Sequence, residues 1–328
     1  MFRKPKKVLT IIKRAFVGSK WGRDLIKLSY EQISSPESVL TNLPSSSRDE
    51  EPNHFAEPIF ILSAGWRSGS TLLQRMILKD PTLMIWGEPY HRSNLINSQL
   101  EQLIPLQNQW PPNNYYIDEN MENLSDQWIA NCWPKFSHLR NAQLMYWKTL
   151  FETPLASLGK STWGIKEVRW GYKEVKYLKW LYPKAKFIFL CRNPYDAYAS
   201  FYNYPKSAFL NWPKEPIMTA KDFSSMWLRL VKEFEQLTED KIGILVKYED
   251  LKNKNTQIKI SKYLGQSIND ASSLQRLVKP GVSKSDGTAK SSHYLPKLEK
   301  LLIRYYLRGK LKQYGYFPKI NKNTQNKS

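Results

Sequence analysis

Two separated segments of this 328-residue chain combine one arginine with small hydroxyl residues, a combination that can bind phosphate. The first segment spans residues 58–73. It begins with an apolar run, continues with a turn of small residues and ends in a helical pattern. This order predicts a strand, a loop and the start of a helix. Unpaired backbone N–H groups and the positive end of the helix dipole make such a start an anion site. Because Arg67 adds a cation, and Ser70 and Thr71 add hydroxyls, we predict that the loop binds a phosphorylated small molecule.

This first loop departs from the ordinary P-loop, which reads Gly, four residues, then Gly-Lys-Ser/Thr. Gly69 and Ser70 stand where Gly-Lys would be, and Ala64 stands where the first Gly would be. The missing Lys is the residue that reaches the β- and γ-phosphates of a nucleoside triphosphate. The pattern therefore favours a nucleotide without a γ-phosphate. A simple Ser/Gly turn between a core strand and a core helix is the alternative interpretation.

The second segment, residues 187–200, repeats this arrangement. An apolar strand pattern ends at Arg192, and an Asn-Pro turn follows, with the proline suited to a first helical turn. Ser200 comes eight residues after Arg192, about two helical turns later. An arginine at a strand end, beside a serine on the next helix, can hold one phosphate with charged and neutral donors. A capping or ion-paired Arg192, with Asp196 as its partner, is the alternative.

Alternating strands and helices position these segments. Four more short apolar runs predict strands at residues 83–86, 163–168, 185–191 and 242–247. Helical patterns lie at residues 72–78, 173–181, 197–204, 223–237 and 256–264, the last closed by Gly265 as a C-cap. Short, mostly apolar strands that alternate with helices predict an α/β fold with a parallel sheet covered on both faces. Ligands of such sheets bind at the carboxyl ends of the strands.

The chain divides by composition into an arm, one domain and a tail. Residues 1–54 are a basic arm and linker, with nine Lys/Arg and one acidic residue among the first 30. The arm is either an amphipathic helix on a membrane or partner, or a flexible segment, which we favour. Residues 55–318 form the domain, and a helical, aromatic insertion at about 92–160 is expected to cover the site and shape the acceptor pocket. Residues 319–328 are a polar tail that we expect to be disordered.

Composition narrows the class of protein. A hydrophobic content of 41% supports a packed core, and a net charge of +21 favours anionic partners without choosing among them. Cys132 and Cys191 provide neither a disulfide framework nor a zinc spacing, and the four histidines are scattered, so we expect no bound metal. No apolar run reaches 18 residues and no signal peptide is apparent. We therefore expect a cytoplasmic protein, with membrane-surface contact through the basic arm as an option.

The two segments together resemble the sulfotransferases that use 3′-phosphoadenosine-5′-phosphosulfate (PAPS). The resemblance rests on Arg-Ser-Gly-Ser-Thr, followed over a hundred residues later by Arg-Asn-Pro-x-Asp-x-x-x-Ser, and covers roughly residues 58–290. It implies a P-loop NTPase-like, sulfotransferase-type sheet. In that family the first loop binds the 5′-phosphosulfate, and the second segment binds the 3′-phosphate. Carried over, the 5′ end would contact Arg67, Ser68, Gly69, Ser70 and Thr71, and the 3′-phosphate would contact Arg192 and Ser200.

Finer similarity points to the carbohydrate and tyrosylprotein branches. There a Glu after the second strand is the catalytic base, and Glu88 lies 21 residues after Arg67. A Tyr-Glu-Asp-Leu segment, here beginning at Tyr248, resembles one whose tyrosine lies near the nucleotide. Lys166, near a strand end, could reach the bridging oxygen or the sulfonate. The alternatives are a Glu88 that caps a turn or pairs with Arg92, and a solvated Lys166.

A Ser/Gly/Lys loop at residues 282–290 resembles the loop that closes over the nucleotide in related enzymes, so Ser283 and Lys290 are candidate contacts. An exposed flexible loop is the alternative. The cytosolic small-molecule branch of the family has a histidine as the base, but no histidine of this chain stands in a convincing base position. Nothing in the sequence fixes a subfamily.

The expected activity is sulfuryl transfer from PAPS to a hydroxyl or amine of a carbohydrate, lipid or other small-molecule acceptor. Nucleic acid is not an expected partner. One rival is a P-loop kinase, which requires the lysine that the first loop lacks. The other is a non-catalytic basic binding module, which accounts for the charge but not for two separated strand–arginine–helix segments.

Overall fold

The computed structural model describes residues 57–88, 95–103, 115–117, 123–126, 128–202, 217–270 and 295–317. The chain forms two compact units, one of which includes Ile96–Ala142 and the other Pro52–Leu95 with Gln143–Ser328. The second unit holds the sheet and every predicted site residue within the described ranges. The basic arm, the polar tail, Arg92, Ser283 and Lys290 lie outside the described residues.

Five parallel strands form the sheet, which confirms the predicted α/β class. The strands are β1 (Ile59–Ser63), β2 (Leu83–Trp86), β3 (Thr162–Glu167), β4 (Lys186–Cys191) and β5 (Gly243–Lys247). Their order is β2-β3-β1-β4-β5, with Ile61 of β1 opposite Lys166 of β3 on one side and Ile188 of β4 on the other. Each strand coincides with one of the predicted apolar runs to within two residues. The carboxyl ends of β3 and β4 therefore flank the end of β1.

The described part of the chain contains eight α-helices. They are α1 (Ser70–Ile77), α2 (Leu95–Leu103), α3 (Phe136–Trp147), α4 (Tyr172–Leu181), α5 (Pro194–Tyr202), α6 (Ala220–Glu239), α7 (Lys254–Leu264) and α8 (Lys297–Tyr314). Helix α6 begins three residues earlier than predicted, because Thr219 and Asp222 form a capping box before its first large apolar residue. Gly265 closes α7 in the left-handed conformation, as predicted.

The two faces of the sheet pack differently. One face is aliphatic, and residues such as Leu73 of α1 and Ile260 of α7 pack with the strands in a buried cluster. The other face is aromatic: Phe187 stacks on Phe60 at 5.1 Å between ring centroids, and Phe189 stacks on Phe234 of α6 at 4.9 Å. Helices therefore cover both faces, which leaves the strand ends as the place for polar chemistry.

The described part of the predicted insertion is helical and aromatic. After α3 the chain continues as a π-helix, Lys148–Glu152, and a 3₁₀-helix, Thr153–Leu158. Phe151 stacks on Trp163 of β3 at 5.7 Å, and its carbonyl accepts a hydrogen bond from Trp86 Nε1 at 3.0 Å. This end of the insertion is thereby fixed to β2 and β3. Coverage of an acceptor pocket by the rest of the insertion stays a prediction.

Candidate active site

The loop between β1 and α1 lies across three strand ends. The backbone N–H of Ala64 donates to Leu190 O of β4 at 2.9 Å, and that of Gly65 donates to Val168 O, just after β3, at 2.9 Å. Trp66, which is buried, stacks on Phe201 of α5 at 5.8 Å. These contacts fix the loop backbone from both sides, so the start of α1 points its first N–H groups to a defined place.

Three residues of this loop have left-handed backbone conformations: Gly65 (φ 89°), Arg67 (φ 60°) and Gly69 (φ 86°). Gly69 is the N-cap of α1, and a Cβ added to it would collide with the ring of Tyr248. Tyr248 opens a 3₁₀-helix, Tyr248–Asp250, directly after β5. Glycine is therefore required at position 69 for two reasons: the backbone conformation and the closeness of the aromatic ring.

We expect Gly69→Ala to lower the free energy of unfolding by at least about 2 kcal/mol, because strain at positive φ adds to the collision with Tyr248. Thermal unfolding measures the loss. Gly159→Ala is the matched control, since Gly159 also has a positive φ of 64° but has no atom within 4 Å of an added Cβ. It should cost about 1 kcal/mol from strain alone. Equal losses in the two variants would show that the Tyr248 ring does not restrict position 69.

The two predicted anion sites meet through Arg67. Its Nε donates to Ser200 Oγ of α5 at 2.9 Å, and its carbonyl accepts from Arg192 Nη1 at 2.8 Å. The Arg192 guanidinium lies over the Tyr248 ring, 4.4 Å from the centroid, a cation–π contact. Trp227 Nε1 donates to the Arg192 carbonyl at 3.1 Å and fixes its backbone. The first loop, the second segment and Tyr248 therefore form one cluster at the ends of β1, β4 and β5.

Two buried donors of this cluster have no hydrogen-bond partner among the described residues: Ser68 Oγ and Arg192 Nε. Ser68 is only 1% exposed. A buried donor without a partner costs free energy that a bound oxygen would recover. Both groups belong to the segments predicted to hold phosphates, so the residues present fit an anionic ligand. Ser70 is buried at the start of α1, and Thr71 is exposed beside it.

A carboxylate and an ammonium form a second cluster beside the first. Glu88 follows β2, and Lys166 stands one residue before the end of the neighbouring strand β3. Lys166 Nζ lies 2.5 Å from Glu88 Oε1, and the two side chains are 8% and 26% exposed, respectively. A lysine this buried needs its partner, because removal of the carboxylate would leave a buried charge uncompensated. The alternative of a solvated Lys166 is therefore wrong.

Glu167, a buried carboxyl at this site, was not among the predicted site residues. It ends β3, is 3% exposed, and accepts a hydrogen bond from the Val168 N–H at 2.7 Å. Burial, together with the nearby charge of Glu88, raises the pKa of the Glu167 carboxyl to about 7. The signal in the sequence is an acidic residue directly after Lys166 at the end of an apolar strand. Two carboxyls and one lysine therefore lie together at the ends of β2 and β3.

The raised pKa of Glu167 predicts a pH-dependent stability. The folded state holds the proton up to about pH 7, whereas the unfolded carboxyl loses it near its ordinary pKa of 4.5. Stability is therefore lost as pH rises from about 4.5 to 7, by a total on the order of 3 kcal/mol. Glu167→Gln cannot ionise, so its Tm relative to the native chain should rise between pH 5 and pH 8. Exposed Glu239→Gln gives the background, and a Tm difference independent of pH for Glu167→Gln would contradict the expectation.

Neither a metal centre nor a membrane span is evident in the part of the chain that the structure describes. No group of three or more His, Cys, Asp or Glu residues in it could hold a metal ion. None of the helices located there combines the length and the apolar composition needed to cross a bilayer.

We compared the chain with models of protein families, with curated proteins and with solved structures. A sequence model of the Sulfotransferase family matches residues 58–268, more than half of the chain. Among solved structures, the chain is similar to the mouse sulfotransferase SULT7A1 complexed with PAP, with 18% identity, 87% of this chain and 95% of that chain covered, and a TM-score of 0.42. A sulfotransferase domain from the curacin biosynthetic pathway shows 16% identity, coverage of 78% and 98%, and a TM-score of 0.43.

A search of curated proteins finds no match. The matched region begins one residue before β1 and ends after α7, so it contains all five strands, the first loop, the Glu88–Lys166 pair and the Arg192–Ser200 segment. From the extent of this match we conclude that the chain is an enzyme of the sulfotransferase family.

Proposed function

We propose that this enzyme transfers a sulfuryl group from PAPS to a hydroxyl or amine of an acceptor, which is a carbohydrate, a lipid or another small molecule. The observation that carries the proposal is the hydrogen bond between Arg67 and Ser200, residues 133 positions apart. Through it the two segments that we predict to bind phosphate lie side by side in one cationic cluster. Such a site suits a nucleotide with anionic groups at both its 3′ and 5′ positions.

The donor would bind along this cluster. The loop N–H groups, with Ser68, Ser70 and Thr71, would hold the 5′-phosphosulfate at the start of α1. Arg192 and Ser200 would hold the 3′-phosphate with charged and neutral donors. Arg67 stands between the two, so its guanidinium would contact both ends of the nucleotide. Tyr248, fixed between Gly69 and Arg192, would lie beside the nucleoside.

The residues at the ends of β2 and β3 would carry out the transfer. PAPS would supply an activated sulfuryl group: the acceptor oxygen or nitrogen forms a bond to sulfur as the bond between sulfur and the phosphate oxygen breaks. Glu88 takes the proton that the acceptor loses. Lys166 neutralises charge that develops on the sulfonate and the departing phosphate. The ion pair between them orients both side chains before the substrates bind.

The direct test is formation of adenosine 3′,5′-bisphosphate (PAP) from PAPS with a panel of glycans, lipids, phenols and peptides. The proposal predicts PAP release that depends on the acceptor and needs no added Mg²⁺. A kinase would instead bind ATP–Mg²⁺ tightly and PAP poorly. A basic binding module would show steep salt dependence and no turnover. No PAP release with any acceptor, from protein that binds ATP–Mg²⁺, would contradict the proposal.

A further inference from the structure

The outward side of α8 carries apolar side chains among cations. Leu298, Leu301 and Tyr305 are 65%, 60% and 78% exposed. They stand three and four residues apart along the helix, so they form one stripe. The exposed cations of the same helix are Lys297, Lys300, Arg304, Arg308 and Lys312. We call these eight residues the α8 outer face.

The opposite side of α8 is bound into the fold. Its buried residues, Ile303, Leu307, Leu311 and Tyr314, follow the helical repeat. Lys310 forms an ion pair with Glu235 of α6, whose other carboxylate oxygen accepts a hydrogen bond from the Tyr314 hydroxyl at 2.9 Å. The helix is therefore held in one orientation, and the outer face is a fixed surface.

The α8 outer face has an unbalanced charge. Glu299 is the one acidic residue of α8, and its carboxylate accepts a hydrogen bond from the Tyr198 hydroxyl of α5 at 3.1 Å, away from the stripe. With about 3.6 residues per turn, the five cations lie along one side of the apolar stripe. Three of them, Lys297, Lys300 and Arg304, line a pocket together with Asp196 of α5. An occupant of this surface must offer both negative charge and an apolar phase.

We propose that the α8 outer face docks this protein on the surface of an anionic lipid bilayer. A fixed helix with an apolar stripe and a row of cations along one side of that stripe lies in the plane of the headgroups, with its apolar side chains below them. Lysine and arginine stems reach alongside apolar surface while their charges contact lipid phosphates. Tyr305 suits this boundary, because its ring is apolar and its hydroxyl is polar. The docking is independent of the proposed sulfuryl transfer.

A matched surface elsewhere on the chain serves as a control. Ile258 on α7 is 63% exposed and lies among Lys254, Lys259 and Lys262 of the same helix, of which Lys254 pairs with Asp270. It is thus an exposed apolar residue among cations, but without a stripe. Binding by charge alone would treat Ile258 and Leu298 alike, whereas insertion of the α8 outer face would not.

The test places an environment-sensitive dye at either position in the full-length chain. Leu298→Cys and Ile258→Cys are each made with Cys132→Ser, and Cys191 is buried and does not compete for the label. With mixed phosphatidylcholine–phosphatidylserine vesicles, dye emission at position 298 should rise at least about twofold and shift to shorter wavelength, because the dye enters an apolar phase. The dye at position 258 should not change. No change at 298, or an equal change at 258, overturns the proposal.

Vesicle co-sedimentation gives a second readout. The triple variant Leu298→Gln, Leu301→Gln, Tyr305→Gln should bind the mixed vesicles at least about tenfold more weakly, with its Tm unchanged because the three side chains are exposed. Ile258→Gln should bind as the native chain does. Triple-variant binding equal to that of the native chain overturns the proposal. So does a native dimer that the triple variant converts to a monomer, since the stripe would then belong to a second copy.

Discussion

Glu88→Gln lowers the turnover of sulfuryl transfer by about 10²-fold or more and leaves the affinity for PAP unchanged. Glutamine keeps the shape of the side chain and can still accept a hydrogen bond from Lys166, but it cannot take a proton from the acceptor. The Glu88–Lys166 pair lies at the ends of β2 and β3, whereas the predicted nucleotide contacts lie at the ends of β1, β4 and β5. Steady-state PAP release measures turnover, and calorimetry with PAP measures binding.

A surface ion pair provides the control for Glu88→Gln. Asp270→Asn disrupts the bond between Lys254 and Asp270, which is 2.6 Å long and exposed, and it should leave turnover as it is. Glu88→Gln should lower Tm in either case, because the buried Lys166 loses its carboxylate partner. If Glu88 only anchored Lys166, turnover per folded molecule would stay unchanged. Full activity of the Glu88→Gln enzyme would show that Glu88 is not the catalytic base.

Arg192→Ala weakens PAP binding by about 10²-fold or more, because it removes charge-assisted hydrogen bonds to the 3′-phosphate. It also removes the bond that Arg192 donates to the Arg67 carbonyl and the contact with Tyr248. Arg192→Lys keeps the charge but lacks the planar fork, so its affinity should fall between those of the native chain and Arg192→Ala. Calorimetry with PAP measures all three.

The ligand itself supplies the sharpest control for Arg192. Adenosine 5′-monophosphate lacks the 3′-phosphate, so the native chain and Arg192→Ala should bind it with similar affinity. A loss of the same size with this nucleotide would mean that Arg192 holds the loop rather than the 3′-phosphate. If Arg192→Ala bound PAP as tightly as the native chain does, the prediction that Arg192 binds the 3′-phosphate would be wrong.

Much of the fold could be predicted because the central strands β1, β3 and β4 are buried on both faces and therefore read as short apolar runs. Helix α8 could not, although its buried residues Ile303 and Leu307 follow a helical repeat. Exposed Leu298, Leu301 and Tyr305 fill the other side of the helix with apolar residues and hide that repeat. The start of α6 at Ala220, capped by Thr219, was missed because the apolar pattern begins later, at Phe223.

The site could be predicted residue by residue but not as a set of contacts. Local patterns predicted that Arg67 lies in a loop after a strand, that Arg192 ends a strand and that Ser200 lies on the next helix. That Arg67 contacts Ser200 depends on β4 lying beside β1, a pairing that no local pattern specifies. The raised pKa of Glu167 likewise depends on burial, which arises when the end of β3 packs. Sequence patterns therefore predict which groups are present, and the strand order decides which of them meet.

The most direct test of the central claim, that two anion-binding segments form one site for a 3′,5′-bisphosphorylated adenosine, is calorimetry of the native chain with PAP. We predict a single class of sites, a Tm that rises with PAP concentration, and much weaker binding of adenosine 5′-monophosphate. Folded protein that releases no heat and shows no thermal shift with PAP would contradict the claim.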